Sequence, residues 1–126
     1  MGMFQVKVRV SNPIERSRYF EENFWVDTGS FYSWIPEDRL KEIGIVPQRA
    51  WEYILADGRR DKTLIGEALF TIPQLQDSAT CRVVFAPAGT LHLLGATALE
   101  NFAVEVDPKN QQLKPRDAII MAGLHL

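Results

Sequence analysis

The N-terminal segment alternates between apolar and polar residues. From residue 4 to residue 10, every even-numbered residue is apolar and every odd-numbered residue is polar or charged. A two-residue period is typical of a β-strand that buries one face and exposes the other, because successive side chains point to opposite sides. The pattern therefore predicts a first strand whose core side carries Phe4, Val6, Val8 and Val10.

Several later segments also have the composition of β-strands. Apolar residues fill 24–26 and predominate in 51–55 and 82–86, and a longer strand-like segment covers 62–72. Asp57-Gly58 lies between two of these segments, and Asp-Gly in that position is typical of a tight hairpin. A last strand is predicted at 103–106, with 111–115 as the returning arm of a hairpin.

Two short segments favour helix. Residues 36–43 begin with a proline and two acids, place Leu40 and Ile43 three apart, and are followed by Gly44. Residues 96–102 are predicted to form one or two helical turns. Many short strands with one or two brief helices predict an all-β fold, a small closed barrel or folded sheet.

Composition and charge reduce the number of functions that the chain could have. The chain has 126 residues, enough for a single domain over 1–126, and 46% of them are hydrophobic. Lys and Arg number 14 against 16 Asp and Glu, for a net charge of −2, so we expect no general attraction to nucleic acid. No apolar run has the length of a signal peptide or a membrane span, so we expect a cytoplasmic protein that does not bind membranes.

The chain contains few residues that bind metals or form disulfides. Cys81 is the single cysteine, and His92 and His125 are the two histidines. Their spacing does not match a structural zinc site, and one cysteine cannot form an internal disulfide. We therefore expect no metal, and we expect Cys81 to be a small buried apolar residue and His92 to have a structural role.

The segment that offers the clearest candidate for a catalytic residue follows the apolar run 24–26. Asp27 stands at the end of that run and is followed by Thr28, Gly29 and Ser30. The glycine permits a tight turn, and the hydroxyls and N–H groups that follow can donate hydrogen bonds to the carboxylate. Asp27 could either cap a turn or act as a catalytic acid, and Asp-Thr-Gly arises by chance in roughly 3% of chains of this length.

With these motifs the sequence resembles the retropepsin-like aspartic proteases, a single-domain family of retroviral, cellular and prokaryotic members. The apolar pair Trp25-Val26 precedes Asp27-Thr28-Gly29-Ser30, and a second element, Leu93-Leu94-Gly95, precedes the second predicted helix. Residues 102–108 and 113–115 resemble the closing strands of the prokaryotic-type members. The resemblance covers most of the chain and implies a small closed β-barrel of the acid-protease type.

The resemblance implies an aspartic endopeptidase with Asp27 as its catalytic acid. Thr28 would brace the two active-site loops of a dimer, and Ser30 would support the carboxylate. This chemistry needs two carboxyls that share one proton, and the other candidate, Asp77, lacks both the following glycine and the preceding apolar pair. A homodimer acting on a polypeptide substrate without a cofactor is therefore expected.

The same resemblance implies that a hairpin covers the substrate. The flap residues would be Ala56, Asp57, Gly58 and Arg59. This tip has a single glycine and continues into charged residues, whereas retroviral flap tips are richer in glycine. An alternative interpretation of Arg59 and Arg60 is a solvated hairpin tip, because exposed basic pairs are common.

Large apolar residues around the motifs could line substrate pockets or pack the core, and core packing is the default expectation. They are Phe31, Tyr32, Trp34, Ile54, Leu55, Phe85 and Leu93. The apolar C-terminal run 118–122 is a candidate contributor to the dimer interface.

Two other hypotheses stay open at this stage. The chain could keep the fold as a binding or assembly module with little or no hydrolytic activity, because a fold does not determine a function. It could also be an unrelated small β-barrel with an accidental Asp-Thr-Gly, which predicts a monomer without a groove.

Overall fold

The computed structural model describes residues 3–119, and the expected C-terminal interface run extends beyond this range. The part of the chain that it covers folds into short strands and two short α-helices. The strands are β1 (Gln5–Ser11), β2 (Tyr19–Val26), β3 (Ser33–Pro36), β4 (Arg49–Ile54), β5 (Arg60–Ile72), β6 (Asp77–Ala86), β7 (Leu93–Leu94), β8 (Val104–Asp107) and β9 (Gln112–Pro115). The helices are α1 (Glu37–Glu42) and α2 (Ala96–Asn101), with a 3-10 turn at Pro73–Leu75.

Alternation in β1 matches the predicted orientation. Val6, Val8 and Val10 are buried, and the odd-numbered residues between them are exposed. β1 pairs with β2 in antiparallel register, from Gln5 opposite Trp25 onward. Because of this pairing, the apolar end of β2 lies against the core. Asp27, the next residue, therefore lies where the chain emerges from the core.

The main sheet has seven strands in the order β1-β2-β7-β3-β6-β5-β4. β1 also pairs with β5, which connects both ends of a six-strand run and leaves β4 outside it. β8 and β9 form a separate antiparallel pair. The predicted all-β class with two short helices is therefore confirmed.

The core is formed by the buried face of this sheet together with residues of α1, α2, β8 and β9. Phe24 of β2 and Phe70 of β5 are fully buried, and their ring centroids are 5.8 Å apart. Leu40 is the buried residue of α1. The helix is followed by Gly44 at φ +78°, a backbone conformation that residues with a side chain rarely adopt.

Several strands differ from the sequence predictions. β2 begins at Tyr19 rather than at residue 24, and β7 was not predicted as a strand. β3 was not predicted, because four residues directly after the Asp-Thr-Gly segment are too few to show a period. β6 begins at Asp77 rather than near residue 82. Its first four residues are largely exposed, although they pair with residues 69–72 at the mostly buried end of β5, and their polar composition concealed the strand.

Among the helices of residues 3–119, none is long and apolar enough to cross a membrane.

Candidate active site

Asp27 is positioned by the strand pair β2 and β7. These strands are parallel, with Trp25 opposite Leu93 and Val26 opposite Leu94. The Asp27 N–H donates to the Leu94 carbonyl oxygen at 3.0 Å. The two sequence motifs, separated by more than sixty residues, are thus adjacent in the fold.

The loop after Asp27 folds back on the carboxylate. The Gly29 N–H donates to Asp27 Oδ1 at 3.0 Å, and the Ser30 N–H donates to the Asp27 carbonyl oxygen at 3.2 Å. Asp27 is partly exposed, and Thr28 and Gly29 are exposed. One carboxylate oxygen is therefore held by the backbone while the side chain stays accessible to water.

Ser30 differs from the expectation that its hydroxyl supports the carboxylate. The hydroxyl instead donates to the carbonyl oxygen of Tyr32 at 2.7 Å. Because that acceptor is two residues away in the same loop, the hydroxyl stabilises the loop itself. Ser30 supports Asp27 only through its backbone N–H.

Gly95 lies against the Asp27 loop. A Cβ atom at this position would lie 2.5 Å from both the carbonyl carbon and the oxygen of Tyr32, and 2.8 Å from the Ser30 oxygen. These neighbours are backbone atoms, so they cannot give way as a flexible side chain would. The glycine of the second motif is needed because two backbones approach closely there.

The first turn of α2 is hydrogen-bonded to the same loop. The Ala96 N–H donates to the Ser30 carbonyl oxygen at 2.7 Å, and the Thr97 N–H and hydroxyl donate to the Phe31 oxygen at 3.0 and 2.9 Å. The first N–H groups of a helix have no partner within the helix, so the loop satisfies donors that would otherwise be free. The loop and the helix therefore stabilise each other.

A cavity of about 450 Å³ opens above Asp27. It is lined by Asp27, Gly29, Ser30, Phe31, Tyr32, Trp34, Trp51, Glu52, Tyr53, Ile54, Leu55, Ala56, Val84 and Leu93. Of the seven large residues for which pocket lining or core packing was open, six line this cavity. Phe85 is the exception, with 4% of its surface exposed in the core.

The hairpin of β4 and β5 forms one wall of the cavity. Its turn is closed by hydrogen bonds from the Leu55 N–H to the Arg59 oxygen at 2.8 Å and from the Gly58 N–H to the Leu55 oxygen at 2.9 Å. Gly58 has φ +86°, which explains the glycine at this position. Ala56, at the start of the turn, lines the cavity together with Asp27.

Charges at the hairpin tip are paired within the tip. Arg59 Nε donates to Asp57 Oδ2 at 2.6 Å, and both side chains are exposed. Arg60 lies 3.5 Å from Glu52 across the hairpin. These contacts agree with the solvated-tip interpretation of the two arginines, and they place no basic side chain among the residues that line the cavity.

The other titratable candidates lie outside this cavity. Cys81 is buried, as expected, and burial raises the pKa of its thiol. His92 is half-buried, and burial lowers the pKa of its imidazole. Asp77 begins β6 opposite Ile72 and is exposed. Within residues 3–119, no three His, Cys, Asp or Glu side chains cluster in a way that could hold a metal ion.

Sequence reasoning missed two residues of this region. Ser33 is fully buried, and its hydroxyl accepts the Gly95 N–H at 3.0 Å. Tyr53 contacts Trp34 with ring centroids 5.5 Å apart. Nothing in the sequence distinguishes Ser33 from other serines, whereas Tyr53 could have been selected as an aromatic residue three positions before the predicted flap.

Comparison of the chain with known proteins finds similarity in structure. No model of a known protein family matches the sequence, and no curated protein sequence matches it. The foamy viral protease-reverse transcriptase, solved with an RNA/DNA hybrid, has a TM-score of 0.53 at 15% identity, covering 92% of this chain and 13% of that one. EIAV protease, solved with an inhibitor, has a TM-score of 0.50 at 14% identity, covering 77% of this chain and 85% of that one.

At such identities the likeness concerns the fold alone. This chain spans only a small part of the foamy viral polypeptide but most of the length of EIAV protease. The chain therefore has a fold similar to that of retroviral proteases, a retropepsin-like fold.

Proposed function

We propose that this protein is an aspartic endopeptidase that acts as a homodimer, with one Asp27 from each subunit. The observation that carries the proposal is the position of Asp27. Its carboxylate is partly exposed, is held by the Gly29 N–H, and borders a cavity that the β4–β5 hairpin covers on one side. The retropepsin-like fold supports this assignment.

In the proposed reaction the two Asp27 carboxyls share one proton, because two like charges at short distance cannot both ionise. The ionised carboxylate takes a proton from water, whose oxygen bonds to the peptide carbonyl carbon, while the protonated carboxyl donates to the carbonyl oxygen. On collapse of the tetrahedral diol the C–N bond breaks: the nitrogen takes the proton that one Asp27 received from the water, and a hydroxyl of the diol returns a proton to the other Asp27. This route needs neither a cofactor nor a covalent intermediate.

The requirement for two carboxyls is the reason for a dimer. No second acidic residue with comparable support lines the cavity, since the Glu52 side chain contacts Arg60 and Asp77 lies elsewhere. A second copy supplies the missing carboxyl by symmetry. Thr28 is exposed beside Asp27, which suits the proposed contact between the two loops.

The substrate in this proposal is an extended polypeptide. The turn residues Ala56, Asp57, Gly58 and Arg59 would cover it, and Leu93, Leu94 and Gly95 would form the floor that holds the Asp27 loop. Backbone hydrogen bonds hold an extended chain, and alternate side chains enter pockets. The aromatic residues that line the cavity would supply apolar contact for these side chains.

The decisive experiment replaces the proposed catalytic group. We expect Asp27→Asn to lower cleavage of a denatured-protein or peptide library by roughly 10²–10⁴-fold or more at about pH 4–7, because the amide cannot exchange the shared proton. A statine-type transition-state mimic should inhibit the unmodified protein. A pair of Asp27 carboxyls that shares one proton also predicts a bell-shaped dependence of the rate on pH.

Asp77→Asn serves as the matched control, since it makes the same chemical change at an exposed strand end away from the cavity. An unchanged rate for Asp27→Asn would contradict the enzymatic proposal. A folded dimer that cleaves nothing at any pH would instead favour the binding or assembly module.

A further inference from the structure

The side chain of His92 lies beside the strands that hold Asp27 and outside the cavity. His92 directly precedes β7, and its carbonyl oxygen accepts the Trp25 N–H at 2.9 Å. Two residues further along, the Leu94 carbonyl oxygen accepts the Asp27 N–H at 3.0 Å. Residues 92–94 therefore form one short ladder with residues 25–27.

The imidazole of His92 packs against two phenylalanines of β2. Its centroid lies 5.2 Å from the Phe24 ring and 6.1 Å from the Phe20 ring, with interplanar angles of 72° and 71°. Nε2 is buried and has no hydrogen-bond partner among residues 3–119. When the imidazole is protonated, both ring nitrogens carry N–H groups, so Nε2 would become a buried donor without an acceptor.

Charged groups on two other elements face this ring. Glu22 of β2 lies 3.2 Å from Arg39 of α1, and Asp38 is next to that arginine in sequence. Burial lowers the pKa of His92, Glu22 and Asp38 raise it, and Arg39 lowers it further. Burial is the largest of these effects, so the neutral imidazole is favoured in the folded chain.

We propose that His92 is a positioning residue for Asp27, and that protonation of the His92 imidazole loosens the ladder between residues 92–94 and 25–27. The imidazolium can find a partner only by moving toward Glu22 or water. β7 has only two residues, so this movement withdraws the carbonyl groups that hold Trp25 and Asp27.

The direction of the pH effect follows from linkage. The folded-state pKa of His92 lies below its ordinary value of 6.5, so the unfolded chain binds the proton more readily. The contribution of the neutral imidazole is complete above about pH 6.5 and is lost as the pH falls below this value through the folded-state pKa. The effect on cleavage rests on the proposed function, whereas the effect on the ladder does not.

The first experiment uses the unmodified protein and needs no activity. NMR titration follows the two imidazoles, and amide hydrogen exchange gives protection factors for Trp25 and Asp27 at each pH. We expect both protection factors to fall about ten-fold or more as His92 protonates, while Ala68 in the β5–β6 ladder keeps its protection. If Trp25 and Asp27 keep theirs, or if all three amides lose protection together, the proposal is wrong.

The second experiment uses His92→Phe, which places an apolar ring between Phe20 and Phe24. We expect the acidic limb of the pH profile of kcat/KM to move to lower pH. We also expect the Trp25 and Asp27 amides to keep their protection from hydrogen exchange as the pH falls. Phe20→Leu changes the packing around His92 without removing the titrating group, so its acidic limb should stay in place. If the Trp25 and Asp27 amides of His92→Phe lose protection in acid as they do in the unmodified protein, the proposal is overturned.

Absence of cleavage by the unmodified protein would count against the proposed function alone. The exchange measurements would still decide the role of His92.

Discussion

Ser33 connects the two motifs of the candidate site through one buried hydrogen bond. It is fully buried at the start of β3, and its hydroxyl accepts the Gly95 N–H at 3.0 Å. Gly95 itself cannot carry a side chain because the backbone of Tyr32 is too close. The Ser33 hydroxyl and the missing side chain of Gly95 therefore help to fix the loop that follows Asp27, in addition to the hydrogen bonds of Ser30 and α2.

We expect Ser33→Ala to lower the free energy of unfolding by about 1–3 kcal/mol, because the Gly95 N–H would remain buried without an acceptor. Chemical denaturation measures the change. Ser78→Ala is the matched control, since its hydroxyl contacts Thr71 at 2.8 Å on an exposed part of the sheet. The control should stay within about 0.5 kcal/mol of the unmodified protein. Equal effects in both variants would contradict this role of Ser33.

At the level of elements, β4 is the edge strand of the sheet and pairs with β5 alone among the strands of residues 3–119. Tyr53 is the one partly buried residue of β4, and its ring meets Trp34 of β3 edge to face. The Thr63 hydroxyl donates to the Phe85 carbonyl oxygen at 3.0 Å near the base of the hairpin. The aromatic pair therefore helps to set the height of the hairpin above Asp27.

We expect Tyr53→Ala to raise KM for a peptide substrate by about 2- to 10-fold, since an aromatic pair contributes about 0.5–1.5 kcal/mol beyond the area it buries. Steady-state kinetics gives KM and kcat separately, and kcat should change less than KM. Tyr53→Phe keeps the ring and should behave like the unmodified protein. If Tyr53→Phe is as impaired as Tyr53→Ala, the hydroxyl and its contact with Asp61 matter, and the ring pair does not.

At the scale of the whole molecule, the proposed site exists only when two copies meet. We expect the specific activity to fall on dilution below the dimer dissociation constant, because a monomer carries one Asp27. Sedimentation velocity over the same concentrations should show the dimer dissociating in parallel. A monomer that retains full specific activity at every dilution would contradict the two-subunit mechanism.

The sequence by itself determined the parts of this protein that depend on short-range pattern. The alternation in residues 4–10 was sufficient for β1 and its buried face, and Asp57-Gly58 was sufficient for the hairpin turn. Asp27 and Gly29 were found as a candidate pair because a carboxylate followed two residues later by a glycine N–H is a local arrangement. Each of these features involves residues close together in the chain.

Only the tertiary structure decided which distant residues meet. The pairing of β2 with β7 brings Leu94 against Asp27, and the close approach of two backbones explains why residue 95 is a glycine. The hydroxyl of Ser30 could reach either the carboxylate or the Tyr32 carbonyl, and the path of the loop selects the carbonyl. Whether His92 Nε2 has a hydrogen-bond partner depends on which side chains surround it. Such outcomes depend on packing between segments far apart in sequence, and a pattern confined to one segment carries no information about them.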